Sequence, residues 1–141
     1  MIAATNSAAP VVFAEWLAPG AHVNAVGANA YTRREVDDQT VLGAAIVATD
    51  DREQAKLEAR ELVDLVADGR LAWQDVAELG ALVQGTGPKR EAARPLTLFK
   101  SLVVALHDVS FARLISHAPP ARVYCRALVD ISKPGPRYLL S

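Results

Sequence analysis

Apolar and polar positions alternate along the chain in a pattern that is typical of a layered α/β fold. Short apolar runs followed by turn residues predict strands at residues 2–5, 21–26, 44–49 and 96–99. The run at 44–49 reads Ala-Ala-Ile-Val-Ala-Thr, with no charged position, as strands covered on both faces do. Because such strands are usually parallel, we expect a parallel sheet.

Helical periodicity separates these predicted strands. Asp50 and Glu53 have the spacing of a capping box and predict one helix that continues to Gly69. Its expected inner face is Ala55, Ala59, Leu62, Val63 and Val66. Further helices are predicted at residues 73–83 and 102–116. The order of strand, strand, strand, helix, helix, strand and helix favours an α/β layer over a sandwich or a bundle.

Two shorter segments are less regular. Residues 11–17 are apolar and end at the turn Pro19-Gly20, and Asp37 or Asp38 is predicted to cap a short helix through Leu42. On the helix at 102–116, the expected apolar side consists of Leu102, Leu106, Val109, Ala112 and Ile115.

Composition narrows the classes of function. The chain has 15 basic and 16 acidic residues, a net charge of -1, and no basic stripe, so we expect no binding to nucleic acid. No apolar run is long enough to span a membrane and no signal peptide is recognisable, which favours a cytoplasmic protein. A single cysteine, Cys125, and three dispersed histidines predict neither a disulfide nor a metal site.

Three ordered stretches carry a family resemblance: Ala4 to Ser7 with Pro10-Val11, Pro19 to Gly27 with Arg34-Glu35, and Thr97 to Ser101. Together they resemble the ornithine cyclodeaminase and mu-crystallin family over roughly residues 2–115. The resemblance implies a partial Rossmann-like parallel sheet flanked by helices, with a C-terminal helix. It identifies residues 1–117 as the C-terminal half of an NAD(P)-binding domain with its returning helix, and leaves residues 118–141 as a divergent, loose tail.

The resemblance implies NAD or NADP as the cofactor, with an amino acid or its cyclic imine as the substrate. The sequence contains no G-x-G-x-x-G or G-x-G-x-x-A, the loop that binds the pyrophosphate in a Rossmann fold. We therefore expect the chain to start inside the sheet, at the strand carrying Thr5, and to lack the phosphate-binding half. An isolated chain of this kind is expected to be inactive, and to self-associate or to pair with a complementary chain.

The resemblance also assigns candidate site residues at the carboxyl ends of the strands. Thr5, Val26, Gly27 and Ser101 are expected to bind the reactive end of the cofactor, and Arg33 to meet an anionic group. Gly27 is small enough for a ring to approach the backbone, and the hydroxyls of Thr5 and Ser101 can bond a carboxamide. The alternative for these three residues is that they only end and cap strands.

Asn29 is the catalytic candidate, because it matches a position where cyclodeaminases carry an aspartate that handles the substrate amine. An amide cannot act as a general base, so this departure favours imine reduction or amino-acid dehydrogenation over ring closure. The charged pairs Arg34-Glu35 and Lys89-Arg90 are interpreted as surface charges without a role, and His107 as a helix-face residue.

Three hypotheses about function follow. The chain is part of an enzyme that transfers hydride between NAD(P) and an amino acid or imine. Alternatively, it is a non-catalytic remnant of that fold that oligomerises or binds a partner. The third hypothesis, an unrelated binding module, is disfavoured by the order of the three motifs.

Overall fold

The computed structural model describes residues 1–90, 95–102 and 105–117, without the side chains of 105–107 and 115–117. The expected tail at 118–141, Cys125 and the side chain of His107 lie outside the described residues.

Within the described residues, five strands form one sheet in which every neighbouring pair is parallel. The strands are β1 (Ile2–Ala3), β2 (His22–Ala25), β3 (Ala44–Thr49), β4 (Val76–Glu78) and β5 (Leu96–Lys100). Their spatial order is β1-β2-β5-β3-β4, so that β5, the last strand in sequence, lies between β2 and β3. The predicted α/β architecture with a parallel sheet is confirmed.

The core lies on one face of this sheet. Val23, Leu98 and Val47 form a row across three strands, because Val23 is in register with Leu98 and Leu98 with Val47. All three are at most 5% exposed and belong to one cluster with Leu62 and Leu65. Since side chains alternate between faces along a strand, a row of this kind fixes which strand residues face the helices.

In the part of the chain that the structure describes, the sheet is accompanied by the helices α1 (Asp38–Leu42), α2 (Arg52–Glu58), α3 (Arg60–Ala67), α4 (Leu79–Val83) and α5 (Ala105–His117). Asp37 caps α1 as predicted, by accepting a hydrogen bond from the Thr40 amide. Among the described residues no helix is long and apolar enough to cross a membrane.

The single helix predicted from Asp50 to Gly69 is wrong in two respects. Its N-cap is Asp51, which accepts from the Gln54 amide, while the carboxylate of Asp50 turns toward Ser101 and Leu102. Ala59, with a non-helical ψ of 78°, divides the segment into α2 and α3. Ala55, Ala59 and Leu62 are buried as expected, but the other buried apolar residue of α3 is Leu65, whereas Val63 and Val66 are only half-buried.

The helix predicted at residues 73–83 is also wrong. A 3-10 turn at Trp73–Asp75 leads into β4, and only Leu79–Val83 is α-helical. Val76 is completely buried and in register with Val47, so pairing with β3 decides the conformation of this short apolar run. The apolar segment at 11–17 forms an isolated parallel bridge between Val12 and Val36, followed by a 3-10 turn at Ala14–Trp16.

The predicted C-terminal helix is present as α5, but Val109 and Ala112 of its expected apolar side are exposed, and the side chains of Leu106 and Ile115 lie outside the described residues. Val109 is 65% exposed, and Leu102, which is buried, precedes the helix.

Candidate functional site

Three strands, β1, β2 and β5, end at the same edge of the sheet, and the residues after their carboxyl ends are the candidates. Thr5 follows β1, Val26 and Gly27 follow β2, and Ser101 follows β5. The Val26 amide donates to Ala3 O at 2.8 Å and the Ser101 amide to Ala25 O at 3.0 Å, so each chain leaves the sheet beside its neighbour. The structure therefore brings Thr5, Val26, Gly27 and Ser101 to one edge, as expected from the parallel order.

Glu35 ties two of these strand ends together. Its Oε1 accepts from the Thr5 amide at 2.6 Å and the Thr5 hydroxyl at 3.0 Å. Its Oε2 accepts from the amides of Gly27 at 2.7 Å and Ala28 at 3.1 Å. Hydrogen bonds to a carboxylate are stronger than those between neutral groups. The two oxygens of Glu35 can accept about four hydrogen bonds, and these four donors supply them.

The interpretation of Glu35 as a surface charge without a role is wrong, because the residue is 0% exposed. Its backbone explains the burial: Glu35 O accepts from the amides of Val11 at 2.9 Å and Val12 at 3.0 Å. The same contact holds Val36, also 0% exposed, against Val12. Polarity alone gave no sign of this, whereas the Arg34-Glu35 pair already stood among the motifs of the family resemblance.

Arg34 is also not a free surface charge. Its guanidinium contacts Asp38 Oδ1 at 2.6 Å, and Arg70 contacts the other oxygen of that carboxylate at 2.8 Å. The hydrogen bond from Arg34 holds the pKa of Asp38 below its usual value. Lys89 and Arg90 are exposed, as expected, and Arg90 bonds the carbonyls of Gly20 and Pro95.

At this edge of the sheet, close packing against Thr5 and Glu35 requires a glycine at position 27. A Cβ placed on it would lie 2.1 Å from Thr5 N, 2.3 Å from Thr5 O and 2.6 Å from Glu35 Oε1. Its missing side chain therefore leaves room for the end of β1 and for the Glu35 carboxylate. The expected approach of a cofactor ring to Gly27 stays a prediction.

The two candidate hydroxyls already have acceptors. Thr5 donates to Glu35, and Ser101 donates to Asp50 Oδ2 at 2.8 Å. Asp50 also accepts from the Leu102 amide at 2.9 Å, and this tie between the ends of β3 and β5 replaces its predicted capping role. With its proton committed to Glu35, the Thr5 hydroxyl can meet a ligand only as an acceptor.

Asn29 and Arg33 lie in the loop that follows Ala28. Asn29 is exposed, next to the Gly27-Ala28 amides that Glu35 holds. Arg33 is half-buried, and its guanidinium has no hydrogen-bond or ion-pair partner in the described part of the chain. Its charge is thus available to an anionic group.

A second pair of charged residues lies beneath this loop. Lys100, the last residue of β5, donates to the carbonyl of Ala28 and lies 3.5 Å from Glu61 Oε1 on α3. Both side chains are 0% exposed. Burial raises the pKa of Glu61, and the Lys100 ammonium opposes that rise without cancelling it.

No group of three or more metal-binding side chains occurs within residues 1–90, 95–102 and 105–117. The site therefore consists of strand ends, backbone amides and charged side chains in that part of the molecule.

Comparison with known proteins decides the family. The model of the ornithine cyclodeaminase/mu-crystallin family matches residues 1–119. The chain belongs to this family. It is 36% identical over 116 residues to the ketimine reductase mu-crystallin of Mus musculus and 35% identical over 116 residues to the alanine dehydrogenase of Archaeoglobus fulgidus. These matches take in 82% of the chain but only 34% and 35% of the relatives, so the chain spans about a third of their length.

Solved structures agree with the fold and carry a cofactor. An archaeal alanine dehydrogenase dimer with bound NAD superposes with a TM-score of 0.70 and 36% identity, covering 81% of this chain and 35% of that one. The Δ1-pyrroline-2-carboxylate reductase of Thermococcus litoralis, in complex with NADH and L-proline, has a TM-score of 0.70 and 30% identity over 82% of this chain and 38% of that one. The family resemblance thus supports NAD(P) as the cofactor of related enzymes.

Proposed function

We propose that this chain forms the nicotinamide end of an NAD(P)-dependent site that transfers hydride to or from an amino acid or its cyclic imine. The observation that carries the proposal is the shared edge at which Glu35 joins the ends of β1 and β2. Ligands of open α/β sheets bind outside the carboxyl ends of the strands, and that is where this edge lies.

The residues at the edge fit the reactive end of a dinucleotide. The Thr5 oxygen can accept from a carboxamide, and the guanidinium of Arg33, which has no partner among the described residues, suits a phosphate or a substrate carboxylate. Val26, Gly27 and Ser101 complete the rim that would hold the ring. When bound, the cofactor supplies the hydride acceptor or donor; the protein orients it and excludes water.

Asn29 favours reduction or dehydrogenation over cyclodeamination. Its exposed side chain stands where the resemblance places an aspartate in cyclodeaminases, and an amide can orient a substrate by hydrogen bonds but cannot take its proton. The names of the relatives, which include an alanine dehydrogenase and Δ1-pyrroline-2-carboxylate reductases, agree with a hydride step alone.

The 141-residue polypeptide by itself is proposed to be inactive. Its sequence has no glycine-rich loop that would present backbone amides to a pyrophosphate, so it lacks much of a dinucleotide's usual anchoring. The alternative is a non-catalytic remnant that oligomerises or binds a complementary chain. The position of β1 at one edge of the sheet supports this alternative, because an edge strand can pair with another chain. A cytoplasmic location remains part of the proposal.

Saturation-transfer NMR on the 141-residue chain with millimolar NADH tests this proposal. We expect stronger transfer to the nicotinamide protons than to the adenine protons, and a dissociation constant above about 1 mM, since the phosphate contacts are missing. Reduced nicotinamide mononucleotide should compete, and AMP should not. Stronger transfer to the adenine would contradict the assignment of the nicotinamide end, and tight NADH binding would contradict the loss of phosphate anchoring.

A further inference from the structure

The backbone of Ala28 is held from both sides by buried side chains of opposite charge. Its N-H donates to Glu35 Oε2 at 3.1 Å, and its carbonyl accepts from the Lys100 ammonium. The preceding amide, that of Gly27, is also bound to Glu35, at 2.7 Å. Ala28 itself is 1% exposed, so these bonds are largely shielded from water.

Three separate elements meet in this arrangement. Lys100 ends β5, Glu35 lies in the segment before α1, and the Gly27-Ala28 peptide follows β2. None of the three is next to another in sequence, so the fold alone brings them together. The next residue along the chain is Asn29, which is exposed at the rim.

The presence of a buried carboxylate at Glu61 is best explained by its contact with Lys100. Neither of its oxygens accepts a hydrogen bond from the described residues, although the whole side chain is buried. The Lys100 ammonium, 3.5 Å away, is the cation that faces it. Apolar residues often stabilise such a position as well as a buried ion pair does, so stability gives no reason for a carboxylate here. A negative charge at this place attracts the Lys100 ammonium on the side away from its bond to the Ala28 carbonyl and so helps to hold it in position.

We propose that Glu35 and Lys100 form a two-sided clamp on the Gly27-Ala28 backbone, with Glu61 as the counter-ion of Lys100, and that this clamp positions Asn29 at the rim of the site. All three are positioning residues, since they act through the backbone. What the clamp positions Asn29 for rests on the proposed function, whereas the clamp itself rests on the contacts described.

Amide hydrogen exchange of the intact 141-residue chain, followed by NMR, tests the clamp. The informative variant is the double substitution Lys100→Met with Glu61→Met, because it removes both buried charges and keeps apolar side chains of similar length. We expect this variant to fold with a higher Tm than Lys100→Met alone, in which Glu61 loses its counter-ion. Lys56→Met is the matched control: the same chemical change at an exposed lysine that pairs with Glu53 at 2.6 Å.

In the double variant, the Gly27 and Ala28 amides should exchange about tenfold faster than in the parent chain. Exchange requires local opening of the backbone, and opening costs less free energy when the hydrogen bond from Lys100 to the Ala28 carbonyl is absent. The Ala55 amide, bonded to Asp51 O at 3.0 Å within α2, should keep its rate. Glu35→Gln should also accelerate hydrogen exchange of the Gly27 and Ala28 amides, because both amides donate to the Glu35 carboxylate. Equal acceleration at Ala55 would show a merely structural role, and parent-like rates at Gly27 and Ala28 would overturn the proposal.

The same variants separate the clamp from the proposed function. If the parent chain shows nicotinamide transfer in the NADH experiment, the double variant should weaken it while Lys56→Met does not. If the parent chain shows no such transfer, the proposed function fails, and selective exchange at Gly27 and Ala28 still decides the clamp.

Discussion

Glu35 and Glu61 are two completely buried carboxylates in opposite surroundings. Glu35 accepts from three backbone amides and a hydroxyl at the carboxyl edge of the sheet. Glu61, on α3, accepts no hydrogen bond from the described residues and faces the Lys100 ammonium at 3.5 Å. The protein backbone provides most of the hydrogen bonds to the first carboxylate, whereas the second is balanced chiefly by the Lys100 ammonium.

This difference separates two uses of a buried charge. At Glu35, each bond replaces one that water would make, so the charge is accommodated and the strand ends are joined. At Glu61, burial costs free energy and raises the pKa of the carboxyl, and the Lys100 ammonium offsets this only in part. The first arrangement contributes stability, and the second gives orientation at some expense of stability.

Gly27→Ala should have the largest effect, because the added Cβ would collide with the region organised by Glu35. Backbone atoms of Thr5 at 2.1 and 2.3 Å cannot move without separating β1 from β2. We expect a loss of about 3 kcal/mol in the free energy of unfolding, at the upper end of overpacking effects, measured by urea denaturation.

Gly80→Ala is the control for that substitution. Gly80 lies in α4, and a Cβ there meets nothing within 4 Å. The change should be neutral or stabilise by up to about 1 kcal/mol, as expected for alanine in a helix. Equal losses of unfolding free energy for the two substitutions would contradict a specific collision of the Gly27→Ala side chain with Thr5 and Glu35.

Glu61→Gln should change how stability depends on pH, with an amplitude smaller than the Gly27→Ala loss. The folded-state pKa of Glu61 is raised above its ordinary value of 4.5, so between these two values the folded protein binds more protons than the unfolded chain. The parent chain should therefore gain stability relative to Glu61→Gln as the pH falls from neutrality toward 4.5. Urea denaturation across that range measures the difference in the free energy of unfolding, and a parent chain that loses stability relative to Glu61→Gln on acidification would contradict the contrast with Glu35.

Asp38→Asn should have the smallest effect and the opposite sign with pH. Asp38 is partly exposed and pairs with Arg34 and Arg70, so we expect a loss of about 0.5 kcal/mol at neutral pH, reduced by salt. Its folded-state pKa is below the ordinary 3.8, and its stabilisation is lost as the pH falls through that lower value. Thermal denaturation at pH 7 and near pH 3 checks this; a larger loss at pH 3 would be inconsistent with the lowered pKa.

The sequence predicted the sheet better than the helices. Ala44–Thr49 forms β3 over the predicted residues, because an uncharged run of that length suits a strand covered on both faces. Residues 73–83 were predicted as a helix, since a run as short as Val76–Glu78 has no periodicity of its own and becomes β4 only beside β3. The division of the helix at Ala59 likewise had no signal in the apolar spacing.

For the site, the sequence indicated which strand ends matter but not what holds them. Thr5, Val26, Gly27 and Ser101 lie at one edge because the strands are parallel, as predicted, and because β1, β2 and β5 are neighbours in the sheet, an order that the sequence did not predict. Asp50 and Glu35 were assigned to a helix cap and to the surface, because a carboxylate in a polar loop looks the same whether its partners are water or distant amides.

The sequence alone was enough to predict the α/β class and the parallel strands and to show the family motifs; the role of Asn29 stays a prediction from the resemblance. Those properties depend on local periodicity and on residue chemistry. Only the tertiary structure decided that Gly27 accommodates Thr5, that Glu35 joins β1 to β2, and that Lys100 holds Ala28 opposite Glu61. These contacts join residues far apart in the chain, and the free energy of a buried charge is set by neighbours that the sequence does not place beside it.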